Sequence, residues 1–193
     1  MPSLAIVAFD GFTDIDVFLH WDLLNRVGQL FPEQHPDWQV RLLGTADSHV
    51  SRAGLAIPMH GLIDEAGSAD AVLHASGQAT RGLMWDLDYL SGLALDPGRQ
   101  LVASQCSGAL VLGACGVLEG LTATTYPSAR QALEELGVTV VEEPFVAHER
   151  VATAAGCLAG IELSRWLISK LADQETAEAC INSASPIGAG LSF

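Results

Sequence analysis

The chain has 193 residues, 49% of them hydrophobic and 17% charged. That is long enough for one domain with a full core, short for two, and too apolar for a disordered segment. Its formal net charge of −14, with no lysine or arginine cluster, argues against a nucleic-acid-binding surface. No apolar run approaches the ~20 residues of a membrane helix. The first residues carry no basic leader, so a cytoplasmic location is expected.

The predicted elements alternate. Leu4 to Phe9 is a continuous apolar run, the pattern of a buried parallel strand. Asp10 to Thr13 reads as a turn, and Ile15, Phe18, Leu19, Leu23 and Val27 fall on helical spacing up to Gly28. Pro32 and Pro36 mark a loop, and Trp38 to Leu43 is the next strand. Leu55 to Met59 reads as a further strand, at an edge because of Pro58. Ala71 to Ala75 is a short strand running into Ser76-Gly77-Gln78, and Leu83, Leu87 and Leu90 suggest a helix. Leu101 to Ser104 is a strand, and Ser107 to Val117 a helix. A strand near Thr122 to Thr125 and a helix from Pro127 to Gly137 come next. Val138 to Val141 reads as a strand, and Phe145 to His148 with Val151 to Ala155 as a hairpin. Ile161 to Leu171 is a last long helix, Thr176 to Ile181 a shorter one, and Ser183 to Phe193 an irregular tail.

This alternation predicts an α/β fold, read as one domain over residues 1–193, with a mostly parallel sheet covered on both faces. Sites in such sheets lie at the carboxyl ends of strands. The loop after Phe9, the loop at Gly77 and the turn at Cys106 are then expected to converge.

Strand, sharp turn and apolar helix meet at Ser104-Gln105-Cys106-Ser107-Gly108-Ala109. Small neighbours permit the strained turn of a nucleophile elbow, with the cysteine at its tip. A thiol at a helix start is expected to favour the thiolate, and the Ser107 N–H to face a developing negative charge. The alternative, a small buried core cysteine, stays open on this local pattern. Cys115, Cys157 and Cys180 read as core residues. No C-x-x-C pair is present, so no metal site is expected, and the cysteine spacing is not that of a disulfide framework. The tryptophans read as packing residues and His74 as structural. His20, one helical turn after Asp16, is either a pocket or a structural residue.

Three stretches carry a family resemblance. They are Phe9-Asp10-Gly11-Phe12-Thr13-Asp14-Ile15-Asp16-Val17, the run from Cys106 to Leu118 continuing into Gly120 to Thr125, and Ala155 to Glu162. Over nearly its whole length the chain resembles the DJ-1/PfpI superfamily, and within it the isonitrile hydratases. The resemblance implies a flavodoxin-like three-layer sandwich, a homodimer, a small-molecule substrate and no cofactor. It implies that Cys106 is the nucleophile, that Asp16 is the acidic residue meeting it, and that Ser107 supplies the hydroxyl beside it. Ser76-Gly77-Gln78 stands where the family has Pro-Gly-Gly after its third major strand, which makes Gly77 and Gln78 candidate substrate or oxyanion residues. Phe18 and Trp21 are candidate walls of an apolar pocket.

The chain departs from the pattern at Leu19-His20, at Gln78 and at Tyr126, where many relatives have His. Loss of that His removes the base a Cys-His peptidase needs. The expected chemistry is hydration of an isocyanide to a formamide through a Cys106 thioimidate, with Asp16 as acid and base. The alternatives are a DJ-1-type glyoxalase or carbonyl-detoxifying enzyme, and a redox or ligand sensor. No DNA-binding segment follows the last helices, so direct transcriptional regulation is not expected.

Overall fold

The computed structural model of the protein describes residues 2–191. In chain order the elements are β1 (Ser3–Val7), α1 (Asp14–Leu30), β2 (Gln39–Gly44), β3 (Ser48–Val50), β4 (Ala56–Pro58) and β5 (Gly61–Leu62). A 3-10 stretch, Ile63–Ser68, precedes β6 (Ala71–His74), α2 (Thr80–Leu83) and α3 (Leu87–Leu93). β7 (Leu101–Gln105) then enters the 3-10 turn Cys106–Gly108 and α4 (Ala109–Ala114). β8 (Thr122–Ala123), α5 (Arg130–Glu135), β9 (Thr139–Val140), β10 (Phe145–Ala147) and β11 (Val151–Ala154) follow. A second 3-10 turn, Cys157–Ala159, opens α6 (Gly160–Leu171), and α7 (Gln174–Ala184) is the last helix.

Seven strands form the central sheet in the order β10-β11-β7-β6-β1-β2-β5. Every pairing is parallel except β10 with β11. β1 lies inside the sheet between β6 and β2, with Leu4 opposite Val40 on one side and Ala71 on the other. Its unbroken apolar run serves two cores. Leu4 and Ile6 pack with Leu24 and Val27 of α1, Leu163 and Leu167 of α6, and Ala177 of α7. Ala5 and Val7 face the opposite side, with Leu93 of α3 and Val111 of α4. Burying each such side chain contributes on the order of 1.5–3 kcal/mol. The result is a three-layer α/β sandwich with a mostly parallel sheet.

Some boundaries differ from the sequence reading. Gly28 does not take a left-handed conformation, so α1 runs through it to Leu30 and ends at Phe31, whose N–H donates to the Val27 carbonyl. Leu83, Leu87 and Leu90 belong to two helices rather than one. Asp86 starts a new helix there by accepting the Tyr89 N–H on its side chain. The helix after the elbow ends at Ala114, well before Val117, and Gly116 follows at φ 75°. β4 pairs with β3, a strand too short to show periodicity, in a small ribbon outside the main sheet. α7 starts at Gln174, earlier than Thr176, because Asp173 caps it through the Thr176 N–H, and it runs on to Ala184. Of the tail, residues 192–193 lie outside the described residues.

Gly108 is where the strand-to-helix turn comes closest to the sheet. A Cβ there would lie 2.6 Å from the His74 carbonyl oxygen and 2.8 Å from that of Ala75. Both are backbone atoms and cannot swing aside. Gly108→Ala is therefore expected to destabilise the fold by roughly 2–3 kcal/mol or more, as overpacking does. Gly82→Ala, with open space around it, is expected to stay within about 1 kcal/mol of the parent. Urea unfolding of both variants checks this; equal stabilities would contradict the tight fit at Gly108.

Candidate active site

The carboxyl ends of β1, β6, β7 and β11 meet at a cleft of about 200 Å³. Each strand delivers one part of it. β7 ends in Gln105 and hands the chain to Cys106, which sits at φ 50°. That left-handed conformation is strained for a non-glycine residue and marks an elbow held by its surroundings. The Thr125 hydroxyl donates to the Cys106 carbonyl at 2.9 Å, and Gly108 lets the helix start beneath the β6 carbonyls. Cys106 is 3% exposed.

Asp16 comes from the first turn of α1 and is 1% exposed. Its N–H donates to the Thr13 carbonyl, and the Thr13 N–H donates to the Ser76 carbonyl at 2.8 Å. These backbone bonds tie the loop after β1 to the loop after β6. The Ser76 hydroxyl then donates to Asp16 Oδ2 in a short bond. Asp16 Oδ1 is buried and has no partner. That buried oxygen is left free to accept a hydrogen bond from a group entering the cleft, since burial without one is costly.

The third group is Cys157, from the turn after β11. The ligating atoms of Asp16, Cys106 and Cys157 all lie within 4.8 Å of one another. Two thiols and a carboxylate could hold a thiophilic metal ion. Sequence spacing did not reveal this set, since its members are far apart along the chain, and Cys157 was expected in the core. Cys180 does lie in the core, and Cys115 packs at its margin.

The Cys106 thiol is pushed well above the ordinary thiol range, first by burial and then by the Asp16 carboxylate beside it. This reverses the expectation that the helix start would favour the thiolate. α4 has only six residues and begins after a 3-10 turn, so its dipole does not outweigh desolvation and a neighbouring anion. Cys157 is pushed up to about 11, again first by burial, with Asp16 adding to it.

Behind the nucleophile runs a polar chain that the sequence did not disclose. The Gln105 amide nitrogen donates to Cys106 Sγ at 3.4 Å and to the Gly156 carbonyl at 2.9 Å. Its carbonyl oxygen faces His20 Nε2 at 3.2 Å, and His20 Nδ1 faces the Ser164 hydroxyl at 2.7 Å. With the amide so placed, Nε2 carries the proton and Nδ1 accepts from Ser164. His20 is wholly buried and is held down to about 4 by desolvation, partly opposed by its bond to Gln105 and by Asp16. It is a neutral positioning residue and does not reach the cleft.

Ser107 lines the cleft with its hydroxyl tied to the neighbouring loop, 3.0 Å from Thr80 Oγ1 and 3.4 Å from the Gly77 nitrogen. Gly77 and Gln78 also line the cleft. The Gln78 N–H is directed at the Gly11 carbonyl oxygen (3.4 Å) rather than into the cleft, and Gln78 needs no left-handed backbone to do this. Phe18 and Trp21 do not line it. Phe18 packs edge-on to Phe12, and Trp21 stacks on His60. They lie two and five residues beyond Asp16, which on a helix turns them away from its face. Arg52, Arg81 and Tyr126 also line the cleft, and the two arginines were not anticipated. His74 is structural, bonded to the Ala75 carbonyl and the Tyr89 hydroxyl, and burial pushes it down to about 4.

A profile of the DJ-1/PfpI family matches residues 2–170. The chain belongs to the DJ-1/PfpI family. It is 31% identical over 147 residues to an isonitrile hydratase of Pseudomonas putida, a match covering 74% of this chain and 64% of that protein. It is 38% identical over 81 residues to protein DJ-1 homolog A of Arabidopsis thaliana, covering 42% of this chain and 21% of the other. The matched stretch thus spans less than two thirds of the length of either relative. Among solved structures it resembles a ThiJ/PfpI family protein of Pseudomonas syringae, with a TM-score of 0.79 and 25% identity over 98% of this chain and 79% of the other. Schizosaccharomyces pombe DJ-1 shares the fold, with a TM-score of 0.80 and 17% identity over 96% of this chain and all of that one. Among the described residues no helix is long and apolar enough to cross a membrane.

The two buried imidazoles set an acid limit on the fold. Both His20 and His74 are held at about 4 against an ordinary 6.5, so between those values the unfolded chain binds more protons than the folded one. Stability therefore falls as the pH falls through this window. Acidification from about pH 7 to 5 is expected to lower the unfolding free energy by on the order of 2 kcal/mol per histidine. Denaturant titrations at the two pH values check this, and a flat profile would contradict it.

Proposed function

We propose that the protein hydrates isocyanides to N-substituted formamides, with Cys106 as nucleophile and Asp16 as the group that moves the proton. The observation that carries this reading is the buried Asp16 carboxylate. One of its oxygens is held by the Ser76 hydroxyl and the other has no partner, and the carboxylate lies within 4.8 Å of the Cys106 sulfur. The similarity to an isonitrile hydratase supports the same substrate class.

The chemistry follows from that geometry. Burial beside an anion keeps the resting thiol protonated, so Asp16 Oδ1 takes its proton as Cys106 Sγ attacks the terminal isocyanide carbon. Negative charge develops on that carbon, and the same Asp16 returns the proton to it, giving a thioimidate. The Ser107 N–H is the proposed donor to charge developing in the cleft. Water then adds across the carbon–nitrogen double bond. Asp16 takes a proton from the water and passes it to nitrogen. Collapse of the tetrahedral adduct breaks the carbon–sulfur bond, frees the formamide and returns a proton to sulfur. A single carboxyl group alternates between base and acid, and its unpartnered oxygen requires no bond to be broken first.

The test is formamide production from one aryl and one alkyl isocyanide. Cys106→Ala is expected to abolish turnover. Asp16→Asn is expected to lower kcat by roughly 10²–10⁴-fold, the contribution of a positioned acid–base group. Full turnover by Asp16→Asn would remove the proton-transfer role. No turnover by the parent protein on either isocyanide, together with turnover of methylglyoxal, would replace the hydratase by a carbonyl-processing enzyme.

A further inference from the structure

Hydration uses one sulfur, yet the cleft holds two. Cys157 Sγ lies within 4.8 Å of Cys106 Sγ, and Cys157 lines the cleft, half-buried and accessible from it. The two thiols occupy turns at the ends of adjacent parallel strands, β7 and β11, whose last paired residues are Gln105 and Ala154. A single side chain clamps these turns together. The Gln105 amide nitrogen donates both to the Gly156 carbonyl, just before Cys157, and to Cys106 Sγ. Gly156 stands at φ 86°, a bend that turns the chain back towards the elbow. The clamp is itself fixed from behind by His20 and Ser164.

We infer that Cys106 and Cys157 form a reversible intramolecular disulfide when the cleft meets hydrogen peroxide, with Cys157 as the resolving thiol. The inference concerns the sulfur pair and does not rest on the isocyanide reading. In the first step Asp16 Oδ1 takes the Cys106 proton and the sulfur attacks one peroxide oxygen. The oxygen–oxygen bond breaks, a sulfur–oxygen bond forms, and the leaving hydroxide takes the proton from Asp16 to become water. Cys106 is then a sulfenic acid. In the second step Cys157 sulfur attacks Cys106 sulfur. The sulfur–sulfur bond forms, the sulfur–oxygen bond breaks, and the departing hydroxide leaves as water with the Cys157 proton. Two thiols have been oxidised to one disulfide, and one peroxide reduced to two waters. A dithiol reductant reverses the oxidation by exchange.

The sulfurs must close from their present separation to a bond of about 2.05 Å. This movement is assigned to the half-buried Cys157 side chain, on its turn after β11. Cys106, strained and enclosed, is the fixed partner. The consequence is a choice between two fates. With a second thiol in reach, the sulfenic acid is captured as a disulfide; without one, it proceeds to the irreversible sulfinic acid.

The experiment treats the full chain with hydrogen peroxide and reads free thiols and peptide masses, before and after dithiothreitol. The parent protein has four free cysteines. Peroxide is expected to reduce the titratable thiols from four to two, to link the Cys106 and Cys157 peptides within one chain, and to be fully reversed by dithiothreitol. Cys157→Ser is expected to give Cys106 sulfinic acid that dithiothreitol does not restore, while Cys180→Ser, in the core, is expected to behave like the parent. Circular dichroism of each variant confirms that it folds. Sulfinic acid at Cys106 of the parent with Cys157 still free would overturn the inference. So would a linkage to any other cysteine, or one between two chains. Because the readout is mass and thiol count, failure of isocyanide hydration leaves this test intact.

Discussion

The site depends on one constraint, the turn that forces Cys106 into a left-handed backbone. Strand β7 must stop, reverse and begin a helix directly over the carbonyl groups of its neighbour β6. Only a residue without a Cβ fits at Gly108, and the strain falls on the cysteine two positions earlier. The Thr125 hydroxyl on the Cys106 carbonyl and the Gln105 amide on its sulfur hold the turn in place. Around that fixed point the other loops arrange themselves. Asp16 arrives from α1, Ser76 from the loop after β6, and Cys157 from the turn after β11.

Burial decides the electrostatics of this arrangement. A short helix start would lower the pKa of a thiol, but here the thiol is enclosed and faces a carboxylate, and these effects win. The thiol thus keeps its proton and the negative charge stays on the carboxylate beside it. Such a site does not need a standing thiolate, because a carboxylate with an unpartnered oxygen lies within 4.8 Å of the sulfur. The same enclosure keeps His20 neutral, which lets it act as a fixed link between Ser164 and Gln105 rather than as a charged group.

The sequence disclosed what is local and periodic. β1 was legible because its apolar run is unbroken, and the elbow because small residues flank a cysteine between a strand and a helix. Asp16 stood out only through the family resemblance, since acids at helix starts are common. What was not legible depends on convergence. Cys157 is 51 residues from Cys106 along the chain and read as a core residue, and although the loop at Gly77 was expected to meet the elbow, the bond from Ser76 to Asp16 was not legible. Gln105 was read only as part of the turn, beyond a strand ending at Ser104. Phe18 and Trp21 were misplaced because nearness in sequence was taken for nearness in space, although a helix turns by about 100° at each residue. The boundaries of α1 and α7 shifted for a related reason: a glycine ends a helix only where its backbone turns left-handed, and a capping aspartate is recognised by its geometry.

The ends of the sheet have a consequence beyond the cleft. One edge is β5, two residues long, and the other is β10, three residues long and the sole antiparallel member. Neither exposes a run of unpaired backbone donors and acceptors long enough to template an extended chain. A sheet this apolar, with long parallel strands at its centre, would be prone to aggregation if a central strand lay at the rim. Placing the shortest strands outermost keeps the hydrogen-bonding ladder closed to other chains. Any association between copies is thereby directed away from strand addition and towards the helix and loop surfaces.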